Sequence, residues 1–305
     1  MPEVYTLNDL ESRQMLDAGE VKPARLAVIG WPIAHSASPR MQQAGLDAAG
    51  IAARYVRLEV APGMVGKALA RMRALDFIGC NVTVPHKFEV MAACDKVEAA
   101  AQSLGAVNAV GFDTERTRGF NTDGPGFVSA IADEFGVALG ELTVVIFGAG
   151  GGAGQALAAQ CAIEGVRRLA LVNRTLEKLW PLASRLHALA PGCEILALPL
   201  GDPALAKTCL AGDLIVNSSS VGLRAGERPI VPEACLRAGH LVYDCVYQPA
   251  PTALLERAAA RGCRTADGLS MLIHQGALAF QDWFPGTAPL AVMRAVMARI
   301  APCGG

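Results

Sequence analysis

Thr143-Val144-Val145-Ile146-Phe147-Gly148-Ala149-Gly150-Gly151-Gly152-Ala153 is the stretch on which the fold turns. Its first five residues are β-branched or apolar throughout, the composition of a strand buried on both faces of a parallel sheet. Glycines follow at once, and a helix is expected from Gln155 to Ile163. The glycines satisfy G-x-G-x-x-G/A, with Ala153 in the last place. The first glycine permits a tight turn, and the second lets backbone approach a pyrophosphate. The helix N-terminus then offers unpaired N–H groups to the anion. Gly148, Ala149, Gly150, Gly151 and Gly152 are therefore candidates for cradling a dinucleotide. A tight turn without a ligand is the alternative; the strand before it and the helix after it favour the nucleotide.

Downstream, the strand Arg168–Val172 ends at Asn173-Arg174-Thr175. A site selective for NAD usually carries an acid there, to accept from the ribose 2′-hydroxyl. The acid is missing here. Arg174, Thr175 and, one turn on, Lys178 suit a 2′-phosphate instead, so the expected cofactor is NADP. Further strands fit Asp213–Val216 and His240–Tyr243, completing a doubly wound pattern. From Gly268 the chain reads as helical, over Met271–Trp283 and Leu290–Ile300.

Upstream, Leu26–Gly30 reads as a short apolar strand. Ser38-Pro39 then opens a helix, with Ser38 as N-cap and proline in the first turn. That helix runs through Met41, Leu46 and Ala49 and stops at Gly50. A strand at Tyr55–Val60, a helix at Val65–Arg73 and a strand at Gly79–Val84 follow, the alternation of an open α/β sheet. Residues 1 to about 24 carry no strong periodicity and read as a leader arm or a partly helical extension, with regular structure starting at Arg25.

The 305 residues are 52% apolar and 18% charged, which excludes a disordered chain and allows two modest domains. A net charge of −1 gives nucleic acid or an anionic membrane nothing to hold. The sequence carries no apolar run long enough to cross a bilayer and no secretory leader, so a cytoplasmic location is expected. The nine cysteines are scattered, without C-x-x-C, and read as buried thiols in a reducing compartment. His35 and His86 lack a third ligand at suitable spacing, so no metal is expected.

Seven segments in order resemble the shikimate dehydrogenase family: Gly30–Pro39 (GWPIAHSASP), Gly79–Lys87 (GCNVTVPHK), Gly105–Asn108 (GAVN), Asn121–Gly124 (NTDG), Asn217–Gly222 (NSSSVG), Tyr243–Pro249 (YDCVYQP) and Asp267–Gln275 (DGLSMLIHQ). The resemblance spans about residues 26–285. It implies an α/β protein with an N-terminal open α/β substrate domain and a Rossmann-like, doubly wound NADP-binding domain, with a cleft between them. The expected boundaries are 1–122 with 267–305 for the first and 123–266 for the second. The implied reaction is reversible NADPH-dependent reduction of 3-dehydroshikimate to shikimate, a step toward chorismate and the aromatic amino acids.

By the same resemblance, Lys87 and Asp123 form the catalytic pair and Ser36 and Ser38 hold the substrate carboxylate. Thr83, Asn108, Tyr247 and Gln275 contact the ring or its hydroxyls. Gly148–Gly152 cradle the pyrophosphate, Asn173, Arg174, Thr175 and Lys178 surround the 2′-phosphate, and Cys245 and Gly268 lie near the nicotinamide. The chemistry suits these residue types. A lysine ammonium can protonate an oxygen on which charge builds, and a carboxylate can orient it. A carboxylate docked at the helix after Ser36 and Ser38 meets partial positive charge. Trp31, Cys245 and Ala99, the last beside Glu98, depart from the family's usual residues and bear on substrate preference. The expected partner is a small carboxylate, bound by a monomer or homodimer. Two rival readings are a quinate or quinate/shikimate dehydrogenase, perhaps NAD-using, and a non-catalytic nucleotide sensor on the same fold.

Overall fold

A computed structural model describes residues 4–224, 226–248 and 251–298. Pro249 of the sixth family segment and Ile300 of the last expected helix lie outside the described residues. The chain forms two compact units. One takes the residues up to Thr122 and again from Ile273; the other is Asp123–Leu272. In chain order the first unit contains α1 (Arg13–Leu16), β1 (Ala24–Gly30), α2 (Ser38–Ala48), β2 (Arg54–Glu59), α3 (Val65–Ala74), β3 (Gly79–Val82), α4 (Lys87–Ala93), β4 (Lys96–Val97), α5 (Ala99–Leu104), β5 (Ala109–Phe112) and β6 (Thr117–Phe120). The second contains α6 (Asp123–Phe135), β7 (Thr143–Phe147), α7 (Gly152–Ile163), β8 (Arg168–Asn173), α8 (Trp180–Leu189), β9 (Glu194–Pro199), α9 (Leu205–Leu210), β10 (Leu214–Asn217), β11 (Leu241–Asp244), α10 (Ala253–Ala260) and β12 (Arg264–Asp267). Helix α11 (Leu269–Trp283) begins in the second unit and continues in the first, where α12 (Leu290–Ala298) follows.

The first unit's sheet runs β2-β1-β3-β5-β6-β4. Strand β1 lies parallel to β2 and β3, while β5 pairs antiparallel with both β3 and β6. The β5–β6 hairpin is absent from the sequence reading, because its four-residue strands contain Gly111 and Gly119 and show little alternation. Its turn is set by the Asp113 carboxylate, which accepts from the backbone N–H of Glu115 (2.9 Å) and Arg116 (2.5 Å). Gly79 opens β3 because the Trp283 indole lies on it; a Cβ there would sit 2.2 Å from Trp283 Nε1. That Nε1 donates to the Val110 carbonyl at 2.9 Å, tying α11 to β5.

The arm corrects the expectation that structure begins at Arg25. Tyr5 N–H donates to Arg57 O (2.8 Å) and Glu59 N–H donates to Tyr5 O (2.7 Å), so the arm supplies a partner for the edge strand β2. Leu10 and Leu16 are buried in the same core as Ile29, Leu58 and Met72. Arg54 fastens the arm through Asp17 (2.8 Å) and Glu20 (3.1 Å). The spacing of Tyr5, Leu10 and Leu16 is aperiodic because a bridge, a 3-10 turn and a single helical turn each bury one of them.

The second unit's sheet runs β9-β8-β7-β10-β11-β12, with every pair parallel. Numbered within the unit, this is the order 3-2-1-4-5-6 of the dinucleotide-binding fold. Helix α7 packs between α6 and α8, and its alanine-rich sequence is buried on most sides. Ligands of such sheets bind where the winding reverses, here between the C-terminal ends of β7 and β10.

Candidate active site

In the first unit, the loop after β1 leads into α2. The helix begins at Ser38 itself, with Ala37 in the cap position and no side-chain cap bond there, which corrects the reading of Ser38 as N-cap. Ser36 satisfies the helix start instead, its Oγ accepting from the Ser38 N–H at 3.3 Å. The Ser36 carbonyl is gripped by Arg57 from Nε (3.1 Å) and Nη2 (2.8 Å). The two serines thus sit at the positive end of α2, with Ser38 buried and Ser36 half-buried.

Strand β3 ends at Val82, two residues earlier than expected, and a turn through Thr83 to His86 opens α4 at Lys87. Thr83 N–H bonds to Ile29 O (2.9 Å), which sets it beside the end of β1. His86 is fully buried; its Nε2 lies 2.7 Å from Val60 O, a structural anchor next to Lys87. The Lys87 carbonyl accepts from Val107 N–H (3.2 Å), so the lysine stands beside Asn108. Asn108 is buried. Its Nδ2 donates to Thr122 Oγ1 (3.0 Å) and Gln275 Oε1 (3.3 Å), and its Oδ1 accepts from Thr122 N–H (2.7 Å). Asn108, Thr122 and Gln275 are therefore brought together from distant parts of the chain, with the Lys87 backbone bonded at the neighbouring Val107.

Sequence reasoning missed Gln42. It is fully buried on α2 and donates from Nε2 to Gly276 O at 3.0 Å and to Asn81 Oδ1 at 3.5 Å. Tyr55 Oη also donates to Asn81 Oδ1, at 2.7 Å. This buried set joins α2 and α11, which carry Ser38 and Gln275, to β3, which leads into Thr83. The available signal was a glutamine one turn after Ser38 on the face carrying Met41 and Gly45. Glu98 is paired with Arg118, whose other partner is Asp282 at 2.5 Å.

In the second unit, Gly148 has φ +81° and its N–H bonds to Val172 O (2.9 Å). A Cβ there would lie 2.7 Å from Ser219 N, so only glycine fits at the reversal point. A Cβ on Gly150 would meet Asn173 Nδ2 at 2.9 Å and Lys178 Cβ at 3.1 Å, which places the end of β8 against the glycine turn. A Cβ added at Gly154 would lie 2.5 Å from Gly148 O, so a further close approach follows one residue beyond Ala153. Arg174, Thr175 and Lys178 are exposed, and Asn173 is half-buried, with Nδ2 donating to Thr175 O (2.9 Å). The turn is a cradle that side chains at Gly148 and Gly150 would fill, with Lys178 beside it, an arrangement whose chemistry fits a phosphate.

Asp123 is buried at the start of α6. Cys245 and Tyr247 are half-buried after β11, and Gly268 lies beneath Cys245, whose carbonyl a Cβ would meet at 2.1 Å. The loops after β10 and β11 are stitched by Asn217 and Asp244, whose roles sequence reasoning left unassigned. Asn217 Nδ2 donates to Asp244 Oδ1 (2.8 Å), and Asp244 also accepts from Val246 N–H (3.0 Å) and Thr252 Oγ1 (2.7 Å). Burial raises the Asp244 carboxyl above its usual range, and these three hydrogen bonds pull it back. Among the described residues, no group of three His, Cys, Asp or Glu side chains is placed to hold a metal, and no helix is long and apolar enough to cross a membrane.

Comparison with known proteins agrees with this geometry. Residues 28–110 match the profile of the shikimate dehydrogenase substrate binding domain, and residues 268–298 that of the shikimate 5'-dehydrogenase C-terminal domain. The shikimate dehydrogenase (NADP(+)) of Symbiobacterium thermophilum is 40% identical over 272 residues, covering 88% of this chain and 92% of that protein. The solved shikimate 5-dehydrogenase of Thermus thermophilus, in complex with NADP(H) and shikimate, is 33% identical with a TM-score of 0.79, over 90% of this chain and 99% of that one. The quinate dehydrogenase of Corynebacterium glutamicum, in complex with NAD, is 30% identical with a TM-score of 0.80, over 90% and 98%. With a substrate half built on β1, β3 and α11, a dinucleotide half at the β7–β10 reversal, and relatives matched over nearly their whole length, the chain belongs to the shikimate dehydrogenase family.

Proposed function

We propose that this protein catalyses the reversible NADPH-dependent reduction of 3-dehydroshikimate to shikimate, in the cytoplasm. The observation that carries the proposal is the buried Asn108–Gln275 pair, with the Lys87 backbone bonded next to it at Val107, in the unit that also presents Ser36 and Ser38 at a helix N-terminus. Ser36 and Ser38 bind the substrate carboxylate, and the partial positive charge of α2 favours it there. Asn108, Gln275 and Thr83, joined by Tyr247, orient the ring hydroxyls. Asn108 and Gln275 already fix each other, so the two amides are oriented before substrate arrives.

The glycine turn fits a pyrophosphate, and Asn173, Arg174, Thr175 and Lys178 fit a 2′-phosphate; Cys245 and Gly268 border the nicotinamide. NADPH, when bound, supplies the hydride. Lys87 in its ammonium form donates a proton to the ketone oxygen as it becomes a hydroxyl, and takes one back in the reverse direction. Asp123 is the carboxylate that orients the ammonium.

Lys87→Ala should lower turnover by roughly 10²–10⁴-fold while NADPH affinity, read by nucleotide fluorescence, stays near normal. Turnover within a few-fold of the parent would remove Lys87 from the mechanism. The likeness to a quinate dehydrogenase holding NAD supports a second reading, in which quinate is also oxidised. Comparing kcat/KM for shikimate and quinate with each cofactor separates the two.

A further inference from the structure

Arg185 lies in the middle of α8, on the side that packs against α7. Its Nη2 donates to Gln155 Oε1 at 3.3 Å, and Gln155 Nε2 donates to the Gly150 carbonyl, also at 3.3 Å. The Arg185 Nε is buried without a hydrogen-bond partner, and among the described residues no carboxylate pairs with the guanidinium. Burial alone lowers its pKa from the ordinary arginine value. A partly buried cation beside the positive end of a helix, with no counter-charge, is an unfavourable arrangement for the unit taken by itself.

The peptide between Gly150 and Gly151 is held at both ends. Its carbonyl accepts from Gln155, and its N–H donates to Gly148 O at 3.0 Å. Glycine on either side leaves that plane with no side chain to restrain it. Released, it could rotate and present its carbonyl oxygen to an anion on the turn. The pyrophosphate that the turn fits also supplies the negative charge that Arg185 lacks.

We propose that Arg185, acting through Gln155, is a positioning residue that fixes the Gly150 peptide for the cofactor's pyrophosphate and so sets dinucleotide affinity independently of the 2′ group. This rests on the reading of the second unit as the dinucleotide site. Arg174 and Lys178 then discriminate between cofactors, while Arg185 and Gln155 serve both.

The test measures Kd for NADPH and for NADH, by nucleotide fluorescence on the full chain at fixed salt. It compares the parent with Arg185→Leu, Arg185→Lys, Gln155→Leu and the double leucine variant, with a thermal melt of each. Arg185→Leu and Gln155→Leu should weaken both dinucleotides by the same factor, roughly five- to fiftyfold. The double variant should be no worse than either single one, and Arg185→Lys should restore part of the loss. In steady state the effect should fall on KM for the cofactor more than on kcat. Should Arg185→Leu fail to fold, Gln155→Leu carries the same comparison with the arginine in place. Weakening of NADPH alone would assign Arg185 to the 2′-phosphate and overturn the proposal. Unchanged Kd values with a lowered melting temperature would make the pair packing only, with the same result. A parent protein that binds neither dinucleotide would overturn the nucleotide-site reading itself, and this inference with it.

Discussion

Replacing Gly148 by alanine perturbs the turn at its most constrained point. Two costs add. The residue has φ +81°, a left-handed conformation that disfavours a Cβ by about 1–2 kcal/mol. The new Cβ would also lie 2.7 Å from Ser219 N, 2.8 Å from Ser219 Cβ and 2.9 Å from Ser219 Cα. These are backbone-anchored atoms that no rotamer change can move, and overpacking of this kind costs about 1–3 kcal/mol. The sum is roughly 2–5 kcal/mol, which in a unit of this size corresponds to a fall in Tm of about 4–20 °C. The strain falls between the ends of β7 and β10, so NADPH affinity should drop with it. Gly151→Ala is the internal control. Gly151 has φ −84°, and its Cβ would meet nothing nearer than Gly148 O at 3.5 Å, so its Tm should stay within about 2 °C of the parent. The assay is calorimetric unfolding of the three proteins, alongside an NADPH fluorescence titration. Equal Tm values for Gly148→Ala and Gly151→Ala would refute the reasoning, because backbone sign and close approach are all that separate the two sites.

Deleting residues 1–20 removes the buried Tyr5, Leu10 and Leu16 and leaves the β2 edge bare; each side chain contributes about 1.5–3 kcal/mol, so the first unit should melt far earlier and aggregate, and size-exclusion chromatography with a melt that matches the parent would contradict this. Arg174→Ala should narrow the preference for NADP over NAD by roughly three- to tenfold, and by less at high salt because the side chain is exposed; kcat/KM with both cofactors at two salt concentrations measures it. Asp267 has its carboxyl raised above the ordinary 3.8 by burial, opposed by the hydrogen bond from Leu269 N–H. The unfolded chain therefore ionises first as pH rises, and the stability linked to this group is full below the ordinary value and lost as pH climbs through the raised one. Asp267→Asn should accordingly gain Tm relative to the parent as pH rises past the ordinary 3.8, and a difference that stays flat with pH would exclude the linkage.

Read from the sequence, four of the second unit's six strands and the helix α7 after the glycine turn were legible. Each parallel strand from β7 to β11 except β9 is a short apolar run ending at a polar or glycine residue, and the turn after β7 states its own backbone requirement. Strands β9 and β12 escaped because they lie toward the edges of the sheet and carry residues such as Glu194, Pro199 and Arg264, whose partial exposure blurs any pattern. The β5–β6 hairpin escaped for a related reason. Its glycines exist to admit neighbours, Val107 and Cys94 at Gly119 and Arg118 at Gly111, and such requirements belong to the packed unit and not to the strand.

What the sequence by itself determined was the set of chemical groups: the glycines at the reversal point, the cations after β8, the lysine after β3, the serines before α2, and the order in which they occur. What only tertiary structure decided was how those groups are held. Ser36, and not Ser38, satisfies the start of α2; Gly154, one residue past the motif's last place, is held close against Gly148; and Gln42, Asn217 and Asp244 brace the loops on which the others stand. A motif records local backbone and chemistry, which neighbouring residues fix. Support comes from hydrogen bonds such as Gln42 to Gly276 and Asn108 to Gln275, across 234 and 167 residues, and no local pattern encodes a contact that exists only once the chain has closed on itself.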